Sequence, residues 1–229
     1  IMCGRFVTNF VMTELTSYLE QALQKPVKVN DSNLPVMYNA APSQLIPIII
    51  AGTEATEIYL AHWGLTPPWL RAGVALKPLI NARAESVHEK PSFRDLIANN
   101  RCVVPMRGFY EWGTTPAKSK IPFYIRRQDG EPAMVAGLYS HTDGQDAEQM
   151  FVVMTREASD DVAGIHHRSP AIIESSEINS WLYDGKAPLD LATTLCRSKL
   201  QHHPVSTRVN NVRNQGEDLV TPVDTGQLF

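Results

Sequence analysis

Cys3 stands directly behind Met2 in the opening Ile1-Met2-Cys3-Gly4-Arg5-Phe6. If translation starts at Met2, removal of the initiator methionine leaves Cys3 with a free α-amine beside its thiol, a pairing that no internal residue has. The amine condenses with an aldehyde to an imine, and the thiol closes onto the imine carbon as a five-membered thiazolidine. The same pair also suits an N-terminal-nucleophile hydrolase, in which the thiol attacks an amide and the amine is its base. An early cysteine can equally fill a small apolar site. Ile1 reads as an addition ahead of the natural start, to be set aside from fold reasoning.

Other polar residues stand in strand-like or turn contexts that otherwise look buried. Asn81 and Arg83 sit in Leu79-Ile80-Asn81-Ala82-Arg83-Ala84-Glu85, and Glu111 lies among aromatics in Gly108-Phe109-Tyr110-Glu111-Trp112. His166 and Arg168 lie in Gly164-Ile165-His166-His167-Arg168-Ser169-Pro170. Desolvation raises the pKa of a carboxyl among aromatics, which makes a general acid or base near neutral pH. The structural alternative pairs Glu111 with a nearby arginine such as Arg107. Taken singly, each of these residues is as consistent with a satisfied polar group as with a catalyst.

Around these residues the chain divides into short elements. Apolar residues at helical spacing predict a helix over 8–23, stopped by Pro26. Ile46–Ala51 and Ile58–Leu65 are β-branched strands, the second broken by Pro67-Pro68. Ser92–Ala98 reads as a short helix after Pro91. Cys102-Val103-Val104 and Gly108–Trp112 follow as a strand and a second strand or tight turn. Phe123–Arg127 and Ala133–Tyr139, joined at Asp129-Gly130, read as a hairpin. Phe151–Thr155 is a buried strand, Ile178–Tyr183 and Leu189–Leu195 are helical, and short extended pieces surround His203-Pro204-Val205 and Leu219-Val220. Strands do not alternate with long helices, which disfavours a doubly wound parallel sheet. The expected fold is one α+β domain over 2–222, a mixed or antiparallel barrel-like sheet with flanking helices, followed by a loose tail over 223–229.

Composition bounds the function. The chain has 229 residues, 43% of them hydrophobic, enough for one well-filled domain. No window approaches the ~18–20 apolar residues that span a bilayer, and the start has no export signal. Cys3, Cys102 and Cys196 are odd in number and lack metal-type spacing, so a disulfide framework and a zinc ribbon both read poorly. A reducing, cytoplasmic setting fits. The net charge of −3 argues against a protein that coats duplex DNA. Its distribution is uneven: residues 60–128 carry eleven Lys/Arg against four acids, and 129–190 three against twelve. A basic central third implies a local surface for an anionic ligand, unless these are only solvated faces.

The segments above, together with Tyr38-Asn39-Ala40-Ala41-Pro42, His62-Trp63-Gly64-Leu65 and His203-Pro204-Val205-Ser206, occur in the order of one family. The chain resembles the SOS-response-associated peptidase family, the abasic-site processing proteins, from Met2 to about Pro222. The resemblance implies that Cys3 forms a thiazolidine with the ring-opened aldehyde of an abasic deoxyribose in single-stranded DNA, with accompanying peptidase and weak lyase activity. It implies a catalytic set of Cys3, Asn81, Glu111 and His166. It places Arg5, Arg83, Trp112, Thr155 and Arg168 along the DNA, with Trp69 a further face for stacking at a missing base. It implies no metal and no cofactor, a monomer, and a nucleoid association when DNA is bound. The chain departs from the family pattern at Trp69-Leu70, where two tryptophans are common. It departs again at His167 and Ser169, where Asp and Arg are common, and at Met37, where an arginine is frequent. Two other classes stay open on the residues alone: a glutaminase-like N-terminal-cysteine amide hydrolase, and a non-catalytic single-strand binder.

Overall fold

The computed structural model describes residues 3–31, 33–66, 77–114, 119–141, 149–186 and 188–224. Trp69 and the Pro67-Pro68 break lie outside the described residues. In chain order the strands are β1 (Phe6–Thr8), β2 (Val27–Val29), β3 (Met37–Ala40), β4 (Leu45–Ala51), β5 (Thr56–Trp63) and β6 (Asn81–Arg83). They continue as β7 (Arg101–Met106), β8 (Gly108–Thr114), β9 (Lys120–Arg127), β10 (Ala133–His141) and β11 (Gln149–Glu157). The last are β12 (Arg168–Pro170), β13 (Ile172–Ile173) and β14 (Leu200–Pro204). The α-helices are α1 (Met12–Leu23), α2 (Arg94–Asn99), α3 (Asp160–Ala163), α4 (Ile178–Tyr183) and α5 (Leu189–Thr193).

Strands β11, β10, β7, β4 and β5 pair in that order, and β5 returns to β11 in parallel, with His62 opposite Met150 and Trp63 opposite Phe151. The result is a closed five-stranded mixed barrel, which leaves no open edge among those five. Their residues are buried on both faces. Ile49, Val103, Met134, Ala136, Val152 and Met154 join a core with Leu15 and Leu19 of α1 and with Trp181 of α4. The alternate residues Ile46, Ile48, Val104, Val135, Phe151 and Val153 join a second core with Cys3, Phe6 and Phe109. A second sheet, in the order β14-β9-β8-β1-β3, carries the amino terminus onto that second core. Trp63 is its centre, tilted against Phe6 at 4.8 Å between ring centroids and stacked on Phe151 at 6.2 Å. Each such buried aromatic contributes about 1.5–3 kcal/mol through burial.

The α+β barrel-like reading agrees with this architecture, and three local expectations need correction. The first helix begins at Met12, not Thr8, because residues 6–8 are claimed by pairing with both β3 and β8. Phe123–Arg127 and Ala133–Tyr139 are strands but not a hairpin: β9 pairs with β8 and β14, whereas β10 pairs with β7, β11 and β13. The Asp129-Gly130 turn, with Gly130 at φ 80°, therefore carries the chain between sheets. Arg127 fastens it by donating to both oxygens of Asp129 and to Glu174. Leu219-Val220 lies in a 3-10 turn (Glu217–Val220) rather than an extended piece, because Leu219 is drawn under the second sheet beside Tyr110.

Gly137 shows how closely the barrel strands approach. A Cβ there would stand 2.9 Å from the Val152 carbonyl oxygen and 2.9 Å from Cys102 Sγ. The carbonyl belongs to the ladder and cannot yield cheaply. Gly137→Ala should therefore lower stability by about 1–3 kcal/mol, read as a reduced urea midpoint with an unchanged slope; an unchanged midpoint would show that the strands have slack at this point.

Candidate functional site

Cys3 and Glu111 are brought together across 108 residues of sequence. Strand β8 alternates, so Phe109 and Glu111 face the second core while Tyr110 faces away from it. Pairing of Phe6 with Phe109 then carries Cys3 over Glu111. The Cys3 backbone N–H donates to Glu111 Oε1 at 2.6 Å. Both residues are buried, Cys3 completely and Glu111 to 3% exposure. Cys3 sits at φ 39°, a left-handed backbone conformation that costs a non-glycine residue about 1–2 kcal/mol. Burial pushes the Glu111 carboxyl above its usual range, while the bonds from the Cys3 and Trp112 backbone N–H groups draw it back. Burial, assisted by the Glu111 charge, holds the Cys3 thiol well above its usual range. The thiol is therefore protonated at neutral pH and needs a local base before it can react. The alternative pairing of Glu111 with Arg107 does not occur, since Arg107 instead bonds Glu14 and lies 4.3 Å over the Phe10 ring.

The chain neighbours of this pair, Gly4 and Trp112, line a cleft of about 400 Å³ together with Arg5, Pro42, Ile80 and Val212, with Ala41 beside them. Arg5 does not project freely into it. Its Nη1 donates to Asn39 Oδ1 at 3.0 Å and to the Val209 carbonyl at 2.7 Å. Trp112 Nε1 donates to Asn210 Oδ1 at 2.8 Å, which fixes the indole on the cleft wall. The 209–214 segment behind it hangs from Asn39, whose Nδ2 reaches the carbonyls of Val209, Asn211 and Asn214. Asn39 lies within the Tyr38–Pro42 motif, but its buttressing role depends on a segment 170 residues away.

Asn81 directly follows Ile80, which lines the cleft. Strand β6 runs parallel to β11, placing Asn81 opposite Val153 and Arg83 opposite Thr155. Arg83 is exposed, while Thr155 is fully buried and its Oγ1 donates to the Ala82 carbonyl at 3.5 Å. His166 enters on the turn after α3, where Ile165 Cγ2 lies 3.5 Å from the place a Gly113 Cβ would occupy. His166 Nδ1 lies 3.0 Å from the Arg168 backbone nitrogen and 3.2 Å from the Arg168 carbonyl oxygen, so the Arg168 backbone engages that nitrogen. Burial lowers the His166 pKa and favours the neutral form. The His167 ring stacks on His166 at 4.5 Å and is near enough to Glu111 to favour its ionised state.

Arg168 is already engaged. Its guanidinium takes Glu85 in a two-pronged pair, Nη1 to Oε1 at 2.5 Å and Nη2 to Oε2 at 2.8 Å, and also donates to the Thr155 carbonyl at 2.7 Å. In the sequence Glu85 stands out only as the last residue of its motif. Arg83, Glu157, His167 and Arg168 line a smaller hollow of about 260 Å³. Among the described residues no group of three or more His, Cys, Asp or Glu is arranged to hold a metal ion, and no helix is long and apolar enough to cross a membrane.

The Glu85–Arg168 pair has a testable signature. Arg168 holds the Glu85 carboxyl below its usual range, so the pair's contribution is present above the unfolded value of about 4.3 and is lost as pH falls through the lower folded value. Arg168→Ala should cost about 1–3 kcal/mol near pH 7, and the gap to the parent should narrow below pH ~4. Urea unfolding at both pH values checks this; a gap that stays constant would place the cost elsewhere.

A family model described as SOS response associated peptidase (SRAP) matches residues 2–212. The chain is 30% identical over 225 residues to the abasic site processing protein YoqW of Bacillus subtilis (strain 168), covering 96% of this chain and 99% of that one. It is 29% identical over 229 residues to the abasic site processing protein YedK of Escherichia coli (strain K12), covering 97% and 100% respectively. The Gallus gallus abasic site processing protein HMCES is 27% identical, with 98% of this chain and 79% of that one covered. Among solved structures, a Bacteroides thetaiotaomicron protein shares the fold with a TM-score of 0.79 at 24% identity, covering 96% of this chain and all of the other. Sequence and fold agree, and this chain belongs to the SOS response associated peptidase family.

Proposed function

We propose that this protein processes abasic sites in single-stranded DNA by linking itself to them through Cys3. The observation that supports this most directly is the buried 2.6 Å contact between the Cys3 nitrogen and Glu111, together with the names of the relatives, which are abasic site processing proteins. Once the residues before Cys3 are removed, that nitrogen is a primary amine held by the same carboxylate. We place the hydrolase step at the peptide bond preceding Cys3. The protein then acts as a cytoplasmic monomer.

The chemistry follows from the groups present. Glu111 takes a proton from the Cys3 ammonium, and the free amine adds to the C1′ aldehyde of the opened sugar. Return of the proton to the resulting hydroxyl expels water and leaves an imine. The thiol then adds to the imine carbon: the S–C bond forms, the sulfur proton passes to nitrogen, and the thiazolidine closes. A carboxyl raised by burial can perform both transfers near neutral pH. His166, whose Nε2 is free of the Arg168 backbone, serves the sugar ring oxygen through that nitrogen as the ring opens. Asn81 orients the sugar without adding charge. Diversion of the imine into β-elimination accounts for a weak lyase activity. Arg83 holds a flanking phosphate, while Trp112, Thr155, Arg5 and Arg168 shape the channel.

Mature protein mixed with single-stranded DNA carrying one abasic site should give a heat-stable adduct. Cys3→Ala should abolish it without abolishing DNA binding, and chains retaining residues ahead of Cys3 should be equally inert; a thiazolidine formed by such a chain would falsify the assignment. Glu111→Gln should slow adduct formation ~10²–10⁴-fold at saturating protein. The parent rate should fall on the acid side with a midpoint above the ordinary carboxylate value of about 4.3, and that limb should vanish in Glu111→Gln.

Arg83→Ala should weaken binding to intact and abasic strands alike, lowering the slope of log affinity against log salt by about 0.7. An unchanged slope would remove Arg83 from the backbone contacts.

A further inference from the structure

The outer face of the β14-β9-β8-β1-β3 sheet carries a second polar groove, of about 430 Å³, that the crosslinking chemistry does not use. It is lined by Asn9, Tyr38, Arg107, Tyr124, Arg126 and His203, with Val7, Val220 and Pro222 around them. It lies on the sheet face opposite Glu111, because Tyr124 is paired with Tyr110 and packs with it, ring centroids 5.4 Å apart, on the far side of β8. No carboxylate is among its lining residues.

The cationic groups at its rim are held in place by the fold. Arg107 is fixed by Glu14 and by the Phe10 ring beneath it. With the Gln201 amide turned so that its oxygen faces Arg126, that oxygen accepts from Nε at 3.2 Å and Nη2 at 3.0 Å, leaving Nη1 outside that pair of bonds. Between them stands the Tyr124 hydroxyl, which has no hydrogen-bond partner among the described residues. Both arginines act electrostatically on that hydroxyl, drawing it back from the rise that burial imposes. Asn9 Oδ1 is likewise buried without a partner at the same groove. His203 donates through Nε2 to the Val220 carbonyl at 2.8 Å and sets its ring edge-on to Tyr124 at 5.7 Å.

Two guanidiniums held by the fold and an uncommitted phenol hydroxyl line one volume, and the Glu14 carboxylate that holds Arg107 is not part of that lining. This is the donor set of a site for a tetrahedral oxyanion. The flanking Tyr38 and His203 rings offer faces to a base. We propose that this groove binds a phosphate of a polynucleotide strand, with Arg107, Arg126 and Tyr124 as donors, as a second nucleic-acid contact remote from Cys3. The 205–223 segment connects it to the reactive cleft, supplying Val212 to the cleft and Val220 and Pro222 to the groove. A strand engaged at both places lies across both sides of this segment. The proposal rests on the abasic-DNA reading for its choice of polymer, while the oxyanion chemistry stands independently of it.

The test uses the mature full-length chain with a thymidine oligonucleotide lacking abasic sites, and Arg126→Ala and Tyr124→Phe variants. Arg126 is exposed and Tyr124→Phe keeps the packed ring, so neither change threatens the fold. Arg126→Ala should weaken oligonucleotide binding several-fold and reduce the salt slope by about 0.7. Tyr124→Phe should weaken binding with the slope unchanged. Adduct formation with abasic DNA at saturating protein should proceed at the parental rate in both. Inorganic phosphate and thymidine monophosphate, titrated while the arginine side-chain NMR signals are followed, should shift Arg126 in the parent. Unchanged affinity and slope in Arg126→Ala would overturn the proposal, as would phosphate-induced shifts unaccompanied by any effect of the variant on the oligonucleotide. Absence of adduct in the parent, with oligonucleotide binding still sensitive to Arg126, would instead count against the crosslinking reading alone.

Discussion

The organisation of the molecule depends on β11 having both its edges satisfied by four different strands. Along one edge β5 pairs with Met150 and Phe151, and β6 then takes over from Val153 to Thr155. Along the other, β10 pairs from Gln149 to Val153 and β12 continues from Thr155 to Glu157. The first hand-over closes the barrel and the second opens it again at its rim. Asn81 and Arg83 arrive on β6, and Arg168 on β12, because β11 offers them its last backbone groups. An unpaired backbone donor or acceptor here would be buried and costly, so the arrangement is imposed by hydrogen-bond satisfaction as much as by side-chain packing.

Glu111 is the second constraint. Removing a carboxylate from water is expensive unless bonds to its charged form compensate. Here the compensation comes from the Cys3 and Trp112 backbone N–H groups. A buried carboxylate of this kind is costly as a structural element, and it is spent here on the backbone nitrogen of Cys3. The same burial keeps the Cys3 thiol protonated, which protects it from oxidation until a partner and a base are both at hand.

Part of the charge in this protein is directed inward. Arg101, in the basic central third, donates to the carbonyls of Trp181, Ile97, Ala98 and Asp184. Arg127 pairs with Asp129 and Glu174, so a base of the basic segment is neutralised by acids of the acidic one. Arg107 pairs with Glu14 and Arg168 with Glu85. In the Arg127 and Arg168 pairs, one member comes from the basic block and the other from the acidic block. Exposed bases of the central third, among them Arg83, Lys90, Arg94, Lys120 and Arg126, remain available to an anionic ligand, and a paired base such as Arg107 can still present donors to one.

Local sequence sets the element types and the chemistry on offer. Continuous β-branched runs such as Ile46–Ala51 had to be strands buried on both faces. Cys3 behind Met2, a carboxyl among aromatics and seven ordered motifs are enough to point to the family. Partner choice could not be read in the same way. The turn at Asp129-Gly130 carries an ordinary hairpin signal, yet its strands go to different sheets, because turn chemistry reverses the chain locally while long-range burial selects which edge each strand meets. The same holds at the site. Glu111 had Arg107 four residues away as a plausible partner, and Arg168 looked like a free cation. Only the tertiary structure, which brings residues 3 and 111 together through β1–β8 pairing and residues 85 and 168 together through β11, settled that the first carboxylate accepts from the Cys3 backbone nitrogen and that the second engages the arginine.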